Sequence, residues 1–128
     1  MKLDFIIISE GAFNNNGSLT IVNTYNFIQV KTTKDKVAVG VAIRVCFNNN
    51  ENGKKHFEFI IENRKNNFVV AKVVSDLDIP VSEDEIYLNT ATNLQGLSFP
   101  ETGEYDFKVL IDGVLLGSQS INVKMLNS

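Results

Sequence analysis

Few groups in this chain could do chemistry. His56 is the single histidine and Cys46 the single cysteine among 128 residues. Acid-base catalysis requires an imidazole with an oriented partner, and a zinc site requires three or four His, Cys or carboxylate ligands. The sequence places neither set around His56, which begins a strand on the parity opposite Phe57 and Phe59. It is therefore expected as a solvent-facing or hydrogen-bonded side chain. Cys46 sits in no nucleophile motif and is expected as a small buried hydrophobe. Ser118 and Ser120 follow Gly117 without a Gly-x-Ser-x-Gly elbow. No phosphate-binding loop, dinucleotide fingerprint or paired glycosidase carboxylates can be recognised, so no catalytic residue and no cofactor is assigned.

One set of potential ligands remains: Asp76, Asp78, Glu83, Asp84 and Glu85, flanking Pro80. Calcium takes oxygen ligands of this type and a sandwich can present them on loops, but EF-hand spacing is absent and a solvated turn explains the same residues. These five are the weak metal candidates. Asn16-Gly17-Ser18 matches a glycosylation acceptor, and without a secretion signal it reads as a turn.

The elements that must position these groups are strands. Tyr105, Phe107, Val109 and Ile111 alternate with Glu104, Asp106 and Lys108, the period of a strand with one buried face, and Asp112-Gly113 supplies a tight hairpin turn. About eight such segments recur at the spacing of an all-β fold. They run Leu3–Phe13, Leu19–Val30, Val37–Phe47, His56–Glu62, Phe68–Leu77, Ile86–Leu94, Glu104–Asp112 and Val114–Met125. The acidic stretch 76–85 reads as a surface crossing with one helical turn at Ser82-Glu-Asp-Glu85. The expected fold is a single antiparallel β-sandwich, immunoglobulin-like or Greek-key, spanning residues 1–128. Its core would come from odd-numbered residues of the segments beginning at Leu3, Val37, His56 and Glu104.

Parity sharpens this in two places. A two-residue turn at Asp112-Gly113 pairs Ile111 with Val114 and Val109 with Leu116, which turns even residues inward, yet Ile121, Val123 and Met125 are odd. A bulge or bend within Gly117-Ser-Gln-Ser120 would reconcile the two sets. The Val37–Phe47 segment is apolar on one face and small on the other, with Ala38, Gly40, Ala42 and Cys46. Ile6, Ile8, Val70, Val74 and Leu110 add apolar residues at positions expected to face outward. Such faces call for cover, either from a loop or strand of the same chain or from a partner surface.

Twelve basic and fifteen acidic side chains, scattered along the sequence, give a net charge of −3. No field suited to nucleic acid results. Asp4 interrupts the short apolar run Phe5–Ile8, no stretch reaches the length of a membrane span, and a lone cysteine fits a reducing compartment. A cytoplasmic protein with no membrane or nucleic-acid partner is expected.

Two segments carry a resemblance. Gly17-Ser-Leu-Thr-Ile-Val-Asn-Thr-Tyr-Asn-Phe-Ile28 is similar to the Gly-x-Leu-x-Ile pattern of a small uncharacterised bacterial family of β-sandwich proteins, a domain of unknown function. Leu88–Pro100, leading into Gly103-Glu-Tyr-Asp-Phe107 and Asp112-Gly113, resembles the same family's Leu-x-Phe-Pro-x-x-Gly-x-Tyr-x-Phe motif. Tyr25 stands where that family often has Phe, and Thr102 replaces a frequent second Pro. The resemblance implies a β-sandwich and brings no catalytic residues. Gly103-Glu-Tyr105 is also similar to a feature of immunoglobulin-like domains, without their Cys and Trp. The expected role is a non-enzymatic interaction or structural module, a homo-oligomer or a subunit of a larger bacterial or phage assembly. The alternative is a cation- or small-ligand-binding module using the acidic 76–85 loop.

Overall fold

The computed structural model describes residues 1–126. The described residues form nine strands: β1 (Lys2–Asn15), β2 (Ser18–Thr24), β3 (Ile28–Val30), β4 (Val37–Phe47), β5 (Gly53–Asn63), β6 (Val69–Ile79), β7 (Ile86–Leu97), β8 (Gly103–Ile111) and β9 (Val114–Met125). They make two sheets, ordered β2-β1-β4-β7 and β3-β9-β8-β5-β6. All pairings are antiparallel except β3 with β9, which is parallel. The fold is the all-β sandwich that the alternation predicts.

The core lies where the inner faces meet. Val39, Val41, Ile43, Val45 and Phe47 of β4 face Phe57, Phe59 and Ile61 of β5 and Tyr105, Phe107, Val109 and Ile111 of β8, all buried and all odd-numbered. Each buried ring or branched chain stabilises the fold by roughly 1.5–3 kcal/mol. The Phe99 ring meets Tyr105 edge-on, with centroids 4.9 Å apart. The Tyr105 hydroxyl donates to the Glu101 carbonyl at 2.7 Å, so the largest buried ring keeps its polar end satisfied.

Three departures from simple alternation are instructive. The β1–β4 register slips between Leu3 and Phe5, making Asp4 an extra residue. Leu3 packs against the core and even-numbered Ile6 and Ile8 then turn inward opposite Ile43 and Val41. These two isoleucines are therefore core residues, not outward ones, and the odd-numbered expectation fails for β1. The segment Leu19–Val30 is two strands. Asn23 adopts a left-handed φ of 52°, the chain leaves β1, and Ile28 and Val30 become buried beside β9 in the other sheet.

In the β8–β9 hairpin, Asp112 and Gly113 have φ of 50° and 79°, and Ile111 faces Val114 as the two-residue turn requires. Leu110 then faces Leu115 while Val109 faces Gly117, which leaves Leu116 as the bulged residue. The break needed by parity exists, immediately before the Gly117–Ser120 segment. By it Ile121 and Val123 reach the core.

The outer face of β4 is covered from within the chain at Gly40 and Ala42, while Ala38 stays exposed. Beyond Ile8, β1 bends and carries the β1–β2 hairpin across β4 and β7. A Cβ on Gly40 would lie 2.5 Å from Ala12 N and from Gly11 Cα and C, an approach that only glycine permits. The buried Ser9 hydroxyl reaches the carbonyls of Gly11 (2.8 Å) and Gly40 (3.1 Å). Asn93 of β7 stands in for a strand partner: its Oδ1 accepts the Ala12 N–H at 3.0 Å and its Nδ2 donates to the Ala12 carbonyl at 2.6 Å. Asn14 Nδ2 donates to the Asn89 carbonyl, and Asn89 Nδ2 donates to the Gly17 carbonyl. Ala12 and Ala42 are fully buried as a result.

Gly40→Ala is expected to destabilise the protein by about 1–3 kcal/mol, because backbone must move. Gly117→Ala should cost less, since its Cβ would meet only the movable Leu3 Cδ2, at 2.6 Å. Asn93→Ala, which leaves the Ala12 backbone groups unpaired, is expected to cost about 1–3 kcal/mol. Urea unfolding of the three variants, with amide exchange at Ala12, measures the ranking.

Candidate functional site

The β5–β6 register sets His56 opposite Asp76 and Lys54 opposite Asp78. All four belong to the even-numbered, outer face of the sheet, because Phe57 and Phe59 occupy the inner one. His56 Nδ1 lies 3.1 Å from Asp76 Oδ1, and Nε2 lies 3.2 Å from Glu58 Oε1. Glu58 follows two residues on in the same strand and so shares the face. The hairpin turn is docked to the same place: Asp112 Oδ1 accepts the His56 N–H and Asp112 N–H donates to the His56 carbonyl, both at 2.8 Å.

Lys54, Lys55, His56, Asp76, Asp78 and Asp112 line a groove of about 410 Å³. It is shallow: the His56 side chain is 48% exposed and that of Asp76 89%. The hydrogen bond to Asp76 raises the imidazole pKa above its ordinary 6.5, partial burial opposes this, and the Glu58 charge adds to it. Both ring nitrogens face carboxylates. This site is a surface charge network.

The five acidic candidates do not converge. Asp76 and Asp78 lie within β6, because Leu77 and Ile79 between and after them point inward and Ile79 is buried. The stretch 76–85 is thus not one loop. Glu83, Asp84 and Glu85 belong to the β6–β7 connection and border a separate groove of about 340 Å³ with Asn48 and Asn49. The helical turn expected at Ser82–Glu85 does not form; the Ser82 hydroxyl instead accepts the Asp84 N–H at 3.1 Å, local bonding that competes with helix. Among the described residues no group of three His, Cys, Asp or Glu side chains is arranged to hold a metal ion.

Cys46 is buried on the other sheet and its thiol donates to Glu85 Oε2 at 3.6 Å. Burial, then the Glu85 charge, pushes its pKa up, which keeps it a thiol and a poor nucleophile. Tyr87 donates to the same Glu85 oxygen at 3.0 Å, and that bond raises the phenol pKa. Nearby, the Arg44 guanidinium stacks over Phe5 and Tyr87, 5.1 and 5.9 Å from the ring centroids, and Nε donates to Asn89 Oδ1. Ser120 donates to Asp106, which is ion-paired with Arg64 at 2.7 Å, while Ser118 lies opposite Lys108. Sequence reasoning did not find Glu58, Asp112 or Asp76 as partners of His56. Only the i+2 spacing of Glu58 was available as a local signal.

The model of a family described as "Family of unknown function (DUF6941)" matches residues 4–124. The chain belongs to that family. An uncharacterised domain family is what the two sequence segments resemble. No curated protein matches the chain in sequence. Among solved structures it is similar to a glycosyl hydrolase family 2 (GH2) member from Bacteroides cellulosilyticus DSM 14838, with a TM-score of 0.50 and 18% identity over 94% of this chain and 15% of that one. A second GH2 structure from Bacteroides cellulosilyticus has a TM-score of 0.48 and 19% identity over 91% of this chain and 14% of that one. The first likeness is one of fold alone, and the chain spans about 15% of that protein's length.

The His56 imidazole is expected to titrate by NMR with a midpoint above 6.5, and Asp76→Asn to lower it. Its folded-state pKa exceeds the unfolded one, so its contribution to stability is fully present below the unfolded pKa and fades as pH rises through the raised value. Denaturation across that window should show a smaller pH slope in Asp76→Asn than in wild type.

Proposed function

We propose that this DUF6941 member is a non-enzymatic interaction or structural module of the cytoplasm, working as a homo-oligomer or as a subunit of a larger bacterial or phage assembly. The observation that carries this reading is the contrast between closed chemistry and open edges. His56 spends both ring nitrogens on carboxylates and Cys46 is held as a buried thiol. Meanwhile β6 and β7, 11 and 12 residues long, each pair on one side only. Unpaired strand edges of that length are templates for another chain, through main-chain hydrogen bonds. The GH2 likeness supports a sandwich module and brings no hydrolase activity with it, since it concerns a small part of a much longer chain.

Light scattering behind size exclusion tests the proposal. The expected result is a mass above the 14.3 kDa of one chain, or a stable complex with a partner retained from lysate. A strict monomer that retains no partner would count heavily against it. Millimolar calcium is expected to leave the thermal midpoint unmoved, because an ion specific to the native state would raise it. A rise on adding calcium would restore the cation-binding alternative.

A further inference from the structure

Four strands lie at sheet edges: β2 and β7 in one sheet, β3 and β6 in the other. β2, β3 and β7 carry no Asp, Glu, Lys or Arg, and β3 has three residues. β6 reads Val69-Val-Ala-Lys-Val-Val-Ser-Asp-Leu-Asp-Ile79, with no Gly or Pro and with charges of both signs. Its ladder to β5 is unbroken from Ala71 to Ile79, the irregularity falling at Val70.

We infer that β6 is the seat of a symmetric contact between two copies of this chain, strand against strand, antiparallel and centred on Val74. The inference rests on the interaction reading above and names its surface and partner. In this register Val74 meets Val74 of the second copy, Val73 meets Ser75, Lys72 meets Asp76 and Ala71 meets Leu77. The two-fold axis generates the Lys72–Asp76 contact twice, so the edge is complementary in charge to itself, as an isologous interface requires.

Alone in mid-edge, a lysine deters pairing. Here Asp76, four residues on, turns it into an attraction in one symmetric register. The Val74 side chain, 55% exposed on the outer face, would be covered by its own copy. On the inner face Ala71 and Leu77 already pack against the core, and their pairing continues that core across the joint. The register must keep parity, so its neighbours are centred on Val73 or Ser75. The first leaves Lys72 opposite Val74. The second pairs Lys72 with Asp78 but sets Val74 against Asp76. Only the Val74-centred register gives Lys72 an aspartate and Val74 an apolar partner together; Asp78 then falls opposite the irregular Val70, at the end of the regular ladder.

The test is light scattering over a wide concentration range on wild type, Lys72→Asp, Asp76→Lys and an equimolar mixture of the two variants, with thermal melts confirming that each is folded. Wild type is expected to self-associate, and each single variant to do so about tenfold or more weakly, since like charges then face each other twice. The mixture should recover association, because the two variants carry opposite charges at both positions. Val74→Lys, at an exposed position, should also dissociate the pair.

A monomeric wild type would overturn the inference, and the interaction reading would then rest on partner capture. Unchanged association in both charge variants would place the contact elsewhere, overturning this inference while leaving the interaction reading standing. Dissociation by the single variants without recovery in the mixture would overturn the register.

Discussion

The approach of the Gly11–Ala12 backbone onto Gly40 organises one side of the molecule. Two peptide planes come so close that no side chain fits between them, and the buried backbone must still find hydrogen bonds. Glycine meets the first condition and Asn93 the second, by bonding both polar groups of Ala12. With those satisfied, the β1–β2 hairpin can lie flat on small residues, and the outer face of β4 disappears from solvent at Gly40 and Ala42. Apolar residues on both faces of β4 therefore report a third layer made by the chain itself. A larger residue at 40 would push the hairpin off, exposing Ala42 and parting Asn93 from Ala12 and Asn89 from Gly17.

The opposite sheet solves its outer face with charge. His56–Asp76, Glu58–Lys72, Glu62–Lys108 and Arg64–Asp106 join neighbouring strands across β6-β5-β8, with Ser120 of β9 bonded to Asp106. At surface exposure each pair contributes little, because solvent screens it. Their larger effect is on register, because a one-residue slip would drive these charges into the core and bring Phe57, Phe59 and Phe107 out. The near-balance of acids and bases thus has a structural use, and His56 and Asp76 are absorbed by it.

This also explains what was legible in the sequence. Strands β4, β5 and β8 alternate cleanly, so their inner faces follow from parity alone. β1 does not, because Phe5-Ile-Ile-Ile8 is apolar at every position and one bulged residue, Asp4, reverses the pattern without a trace in composition. The β9 bulge could be deduced because a fixed turn and a fixed core set disagree, although the sequence does not say which residue absorbs the mismatch. The division of β2 from β3 was hidden, since both halves favour strand and a change of sheet alters no local propensity. The acid-rich run after Ser75 masks only the end of β6, which is expected to stop at Leu77 and continues to the buried Ile79.

The candidate site was less legible for a related reason. His56 and Cys46 could be picked out by type, but their partners Asp76 and Glu85 lie about 20 and 39 residues away in sequence and arrive only through strand pairing or a connection beside it. Once those partners are in place, the imidazole faces two carboxylates and the thiol is buried beside one. Chemical reactivity needs a group whose partner activates it and leaves one face open. In this sandwich the partners occupy the ring nitrogens and the thiol, while backbone stays unpaired along the sheet edges.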